Sequence, residues 1–178
     1  MKLVAVSGTI LGSKTSASLT QLLEVIKKHN PEIDVELIDL KDYKLEFVDG
    51  RPSSDYNEDT QTLIHKIMEA DAYVIGSPVF QASIPGTLKN LFDSLSPNTF
   101  KNKVVGIVMN GGSERHSLVL EYQLKPILNY FKAYIPSSNV FLHTSDFDAE
   151  NHIQDPEMVK RLTTLADEIV FMAKQLKQ

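Results

Sequence analysis

The sequence predicts a doubly wound α/β fold: a five-stranded parallel sheet in the order 2-1-3-4-5 with helices on both faces. Three observations predict it. Five short runs rich in Val, Ile and Leu alternate with five stretches that carry apolar residues at helical spacing. Two of these runs, DAYVIGSPVF and KVVGIVMNGG, are apolar almost throughout, the composition of strands buried on both faces. The segments leaving the first, third and fourth runs (SGTILGSKTS, SPVFQASIPG and NGGSERH) also share a high content of glycine, proline and small hydroxyl residues. In an open parallel sheet, ligands bind beyond the carboxyl ends of the strands, where the winding reverses. The three segments are therefore expected to form one rim.

Lys2 to Val6 opens the chain as a strand of β-branched character. Gly8, Thr9, Gly12, Ser13, Lys14, Thr15 and Ser16 follow as a polar turn. An apolar helical pattern then starts at Leu19 and runs through Leu22, Leu23 and Ile26 until HNPE stops it. A strand, a hydroxyl-rich loop and a helix start in succession make an anion site. The first-turn N–H groups have no intrahelical partner, and the helix dipole is positive there. The segment reads as a phosphate cradle; capping of the helix by Ser13, Thr15 or Ser16 is the competing reading. DVELIDL, Asp34 to Leu40, alternates as a half-exposed strand should, and residues 41–57 form a polar loop long enough for a surface role. Leu63, Ile64, Ile67 and Met68 mark the buried face of a second helix, and DAYVIGSPVF carries the third strand into a Gly-Ser-Pro turn.

SIPGTLKNLFDSL gives a third helix, with Pro85 in its first turn and Leu88, Leu91, Phe92 and Leu95 facing inward. KVVGIVMNGG is the fourth strand, ended by paired glycines. Leu118 to Phe131 is helical but contains Pro126, which removes an intrahelical bond and predicts a kink or break nearby. SSNVFLH is the fifth strand, Thr144 to Asp155 an acidic loop expected in solvent, and Met158 to Leu176 a final amphipathic helix. With no repeat and no linker, residues 1–178 read as one domain.

Composition excludes several functions. A formal net charge of −5 argues against a general nucleic-acid surface. The absence of cysteine removes disulfides, thiolate catalysis and cysteine-ligated metals, and the five histidines show no metal-ligand spacing, so no metal is expected. No run approaches a membrane span or the core of a signal peptide, so the expected location is the cytoplasm. The first loop nearly spells a P-loop, but Ser13 stands where that pattern needs glycine before Lys14 and Thr15. The third and fourth strands end in Gly76-Ser77 and Met109-Asn110, without the aspartate a nucleotide triphosphatase uses for magnesium.

SPVFQASIPGTLKNLFD resembles the signature of the NAD(P)H-dependent FMN reductases of the flavodoxin-like superfamily, a Pro-x-aromatic turn followed by SIPG-x-LKN-x-x-D. NGGSERH and YQLKPIL extend the likeness to about residue 132 and are most similar to the FMN reductases of two-component alkanesulfonate monooxygenase systems. The resemblance implies a flavodoxin-like three-layer sandwich using FMN and NAD(P)H, NADPH favoured. It also implies a homodimer or homotetramer that supplies reduced flavin to a partner monooxygenase. It further implies that Thr9, Thr15 and Ser16 hold the FMN phosphate, with Lys14 as an added donor. Pro78, Val79 and Phe80 match the turn bordering the isoalloxazine, and Asn110, Gly111, Gly112 and Ser113 the loop reaching its pyrimidine edge. Tyr122 matches a tyrosine that makes a π-bulge at a subunit interface beside the flavin. Phe80 stands where tyrosine is more usual, and Gln81 where many relatives have asparagine.

No side chain is assigned as a catalytic acid or base, because hydride transfer needs two aligned rings and the cofactors carry the chemistry. Lys14, Arg51 and Arg115 are the candidate partners for a 2′-phosphate; His116, at a loop–helix junction, is structural or meets a nicotinamide phosphate. Phe80 is the only aromatic residue in the three segments, so FMN is expected to exchange rather than stay bound. The alternatives are an FMN-bound reductase of quinones, azo dyes or nitroaromatics, and a flavodoxin-type electron carrier.

Overall fold

Residues 1–177 are described by a computed structural model. The strands are β1 (Lys2–Ser7), β2 (Asp34–Asp39), β3 (Ala72–Pro78), β4 (Val104–Gly111) and β5 (Val140–His143). They pair in parallel in the order β2-β1-β3-β4-β5, the order the sequence predicts. The helices are α1 (Lys14–His29), α2 (Glu58–Met68), α3 (Gly86–Ser94), α4 (residues 117–130) and α5 (Pro156–Leu176).

Successive strand residues point to opposite faces, and both faces are covered. Val4, Val6, Ile75, Ile107 and Met109 pack under α2, α3 and α4 through Leu63, Ile67, Leu88, Leu91, Leu124 and Leu128. Leu3, Ala5, Val74 and Val108 pack under α1 and α5 through Leu19, Leu22, Ile26, Leu165 and Ile169. This is why β1, β3 and β4 read as continuous apolar runs, while β2, at one edge, keeps an exposed and partly exposed first half. Among the described residues, no helix is long and apolar enough to cross a membrane.

Several expectations are corrected. Met68 is 52% exposed: it falls at the rim of the helical arc centred on Leu63 and Ile67, and Thr60 is buried on that arc instead. Pro85 is the N-cap of α3 rather than part of its first turn. The acidic connection from Thr144 to Asp155 is anchored, not free in solvent. Phe147 and Ile153 are buried, pair across an antiparallel bridge and join the core beneath α1 and α5. The break expected near Pro126 lies just before it. Leu120–Leu124 form a π segment between the helical stretches Ser117–Val119 and Lys125–Tyr130, and the Lys125 N–H bonds the Leu120 carbonyl. Pro126 then sits in the first turn of the last stretch, where its missing N–H is tolerated.

The end of β1 is fixed against α3. A Cβ added at Gly8 would lie 2.7 Å from Leu88 Cδ2 and 2.9 Å from the Gly76 carbonyl oxygen. The backbone oxygen cannot swing away, so Gly8→Ala is expected to destabilise the fold by about 1–3 kcal/mol. Urea unfolding should show a lower midpoint with an unchanged slope.

Candidate functional site

The three rim segments meet through hydrogen bonds that continue the sheet past its last paired residues. The Gly8 N–H donates to the Gly76 carbonyl at 2.8 Å, and the Val79 N–H donates to the Asn110 carbonyl at 3.0 Å. The Thr15 hydroxyl donates to Asn110 Oδ1 at 2.7 Å. Asn110 thus ties the first segment to the second from the end of β4.

Ser13 is the N-cap of α1, yet its side chain makes no capping bond. Its hydroxyl instead accepts from Asn151 Nδ2 at 2.9 Å. The Ser16 hydroxyl donates to the Ser13 carbonyl at 3.0 Å, and the Thr9 hydroxyl is closed on the Leu11 N–H and carbonyl, each at 3.1 Å. The first turn of this 16-residue helix therefore has no side-chain cap and no acidic residue. The capping reading of Ser13, Thr15 and Ser16 fails, and the turn keeps the free N–H groups that an anion satisfies. Thr9 and Thr15 are buried, and their hydroxyl protons are used inside the rim. They shape the loop. The Lys14 ammonium reaches across to the β5–α5 connection, donating to Asn151 Oδ1 at 2.8 Å and standing 5.4 Å from the centre of the Phe147 ring.

In the second segment Pro78 is buried, Val79 half-buried and Phe80 38% exposed. Phe80 and Ser83 exchange two backbone hydrogen bonds of 2.9 Å around a two-residue reversal. Gln81 and Ala82, its central residues, have φ of 47° and 58°. Hairpin turns of this hand normally use glycine or asparagine, and each non-glycine residue there costs roughly 1–2 kcal/mol. The reversal is braced from α4: the Ser83 hydroxyl donates to Gln123 Oε1 at 2.5 Å, and Gln123 Nε2 donates to the Ala82 carbonyl at 2.8 Å. Tyr122, beside Gln123 in the π segment, is 76% exposed.

In the third segment Gly111 is buried and Gly112 exposed. A Cβ at Gly111 would lie 2.8 Å from His116 Nδ1, a buried nitrogen without a hydrogen-bond partner among the described residues. His116 thus lies against the β4 end. Ser113 is the half-buried residue leading into the short turn Glu114–His116. Arg51 is taken up by Glu46 and Asp49, each at 3.1 Å, and stacks 4.5 Å from the Tyr56 ring centre. Arg115 makes no ion pair among the described residues.

The titratable pair most altered by burial lies at the opposite end of the sheet, where β3 and β4 begin. Burial pushes the Tyr73 phenol up and pulls the Lys103 ammonium down, and Lys103 Nζ donates to the Tyr73 hydroxyl at 2.9 Å and the Ala70 carbonyl at 2.7 Å. No cluster of potential metal ligands occurs among the described residues. The rim instead offers helix-end N–H groups, amides, hydroxyls and one aromatic ring. That chemistry can hold a phosphate and border a flat heterocycle.

Sequence reasoning missed Gln123, Ser83 and Asn151, polar residues whose partners lie 40 to 138 positions away. It also passed over Ile10 and Leu11, apolar residues exposed at the lip of the first loop. Two adjacent apolar residues amid glycine and hydroxyls were a readable signal for that lip.

Residues 1–148 match the sequence model of a family described as NADPH-dependent FMN reductase. The chain is 50% identical over 177 residues to a protein of Geobacillus thermodenitrificans named NAD(P)H-dependent FAD/FMN reductase, covering 99% of this chain and 96% of that protein. It is 32% identical over 168 residues to the NADH-dependent FMN reductase SfnF of Pseudomonas fluorescens, covering 94% and 89%. A solved flavodoxin from the domain Archaea shares the fold, with a TM-score of 0.62 at 17% identity over the whole of both chains.

Asn151→Ala would release both Ser13 and Lys14. Hydrogen exchange should then accelerate across residues 147–153 while β3 stays protected, because the lost bonds join that connection to the start of α1 and leave the sheet ladder intact.

Proposed function

Because the chain belongs to the NADPH-dependent FMN reductase family, we propose that it takes FMN at this rim as an exchanging substrate. It reduces the flavin with NADPH and releases it to a partner monooxygenase. The observation that carries the placement is the first turn of α1, uncapped by any side chain and free of acidic residues. A dianionic phosphate satisfies such a turn through backbone N–H groups, aided by the dipole.

The chain's own residues then have distinct tasks. The backbone of Lys14, Thr15 and Ser16 holds the phosphate, and the buried hydroxyls of Thr9 and Thr15 keep the loop in shape. Pro78, Val79 and Phe80 border the ring system, and Asn110, Gly111, Gly112 and Ser113 meet its pyrimidine edge. A flavin held there would supply the redox chemistry, as acceptor of a hydride from the nicotinamide. The protein's part is alignment and exclusion of water, so the rim needs no acid or base. Arg115 is the candidate for a 2′-phosphate, since Arg51 and Lys14 are both engaged elsewhere.

Exchange follows from the sparse aromatic lining. Phe80 alone lies in the three segments, and it is 38% exposed. If base stacking is a guide, each absent platform forgoes roughly 1–3 kcal/mol, about five- to 150-fold in affinity. Self-assembly as a homodimer or homotetramer is supported by the exposed Tyr122. A second support is the groove of about 580 Å³ between α3 and α4, lined by Phe92, Leu95, Ile127, Tyr130 and Phe131.

Mixing the protein with FMN and NADPH without air should bleach the flavin, and dialysis should remove it. Stoichiometric FMN surviving dialysis would refute exchange, and a monomer by light scattering would refute assembly. Riboflavin, lacking the phosphate, is expected to bind at least about ten-fold more weakly than FMN; equal affinity would remove the phosphate from α1. Arg115→Ala should raise the KM for NADPH several-fold and leave that for NADH unchanged.

A further inference from the structure

The reversal at Phe80 is an unusual piece of backbone. Gln81 and Ala82 are consecutive, both have positive φ, and neither is glycine. Its two internal hydrogen bonds would form equally well with residues that accept this conformation freely. Something outside the reversal has to favour it. Among the described residues, the one side chain from another element that hydrogen-bonds it is Gln123, whose carboxamide accepts from the Ser83 hydroxyl and donates to the Ala82 carbonyl, at 2.5 and 2.8 Å. Gln123 belongs to the π segment Leu120–Leu124, where it is half-buried against the reversal while its neighbour Tyr122 faces solvent.

We infer that Gln123 is a positioning residue for the flavin ring. Its carboxamide holds the Phe80–Ser83 reversal in its left-handed form, so the π segment of α4 and the ring-bordering turn behave as one unit. The inference rests on the reading that Phe80 borders the ring. It adds a reason for the π segment's position: the segment presents both ends of one amide to the reversal. A change on its solvent face, where Tyr122 stands, would be transmitted to the flavin through Gln123.

The test uses the full-length protein and FMN, with affinity read from quenching of flavin fluorescence and KM from turnover. Gln123→Met keeps the length of the side chain and removes both hydrogen bonds. It is expected to weaken FMN about ten-fold, equivalent to about 1.4 kcal/mol, while the thermal midpoint of the flavin-free protein moves little. Adding Ala82→Gly, which makes positive φ free of strain at that position, should restore most of the affinity without restoring any contact to residue 123. A merely structural glutamine would not be rescued by a glycine on another element. Phe80→Ala separates this inference from the site reading beneath it. If Phe80→Ala weakens FMN and Gln123→Met does not, the positioning role is overturned and the site stands. If neither weakens FMN, both fall. If Gln123→Met weakens FMN and Ala82→Gly fails to rescue it, control through the reversal is overturned.

Discussion

The structure depends on the register that brings three parallel strand ends side by side at the point where the winding reverses. Ser7 lies beside Gly76 and Pro78 beside Asn110 in the ladder. Beyond those pairs the polar backbone still needs partners, because unpaired N–H and carbonyl groups are costly where water is excluded. Gly8 therefore bonds Gly76, and Val79 bonds Asn110. The rim is the continuation of the sheet by other means. The closeness of the first, second and third segments follows from register, and the chain cannot pair its strands in this order without assembling the rim.

That origin explains what the rim is made of. Strand ends and helix starts supply oriented backbone dipoles, and these suit an anion and the hydrogen-bonding edge of a heterocycle. They do not require buried charge. The ionisable pair most shifted by burial, buried Tyr73 with half-buried Lys103, sits at the opposite end of the strands, where it satisfies the Ala70 and Met68 carbonyls as a structural plug. A redox cofactor brings its own reactivity, so a site of helix ends and small hydroxyls is sufficient for the family's reaction.

How far the sequence could be read depended on whether information was local or distant. The strands were legible because burial on both faces leaves an apolar run, and the rim because glycine, proline and hydroxyls cluster at strand ends. Phe147 and Ile153 were hidden: two apolar anchors among acidic neighbours look like a solvated loop until their pairing is seen. Met68 misled because a four-residue step from Ile64 lies on the same side of a helix yet off its buried centre. Gln81 and Ala82 carried no signal at all, since neither residue type announces positive φ. Their bond to another element comes from Gln123, whose amide donates to the Ala82 carbonyl from some 40 residues on. The π segment was readable only by likeness to a family, because Pro126 marks a disturbance without saying what kind.

The two ends of the rim differ in how they are held, and this bears on flavin exchange. The end proposed to hold the phosphate is fixed by the fold: α1 is packed by Leu19 and Leu22, and its loop is laced by Thr9, Thr15 and Asn151. The end proposed to border the ring is a reversal with two non-glycine residues at positive φ, hydrogen-bonded by Gln123 of α4. A ligand anchored at the stiff end and aligned at the conditional end can be bound with its reactive edge in place. It can also be let go without unfolding anything that the core depends on. Tight permanent binding would call for the opposite arrangement, with aromatic walls built into the strands. Here the three segments carry one half-exposed phenylalanine on a braced turn, and the proposal of flavin exchange rests on that sparseness.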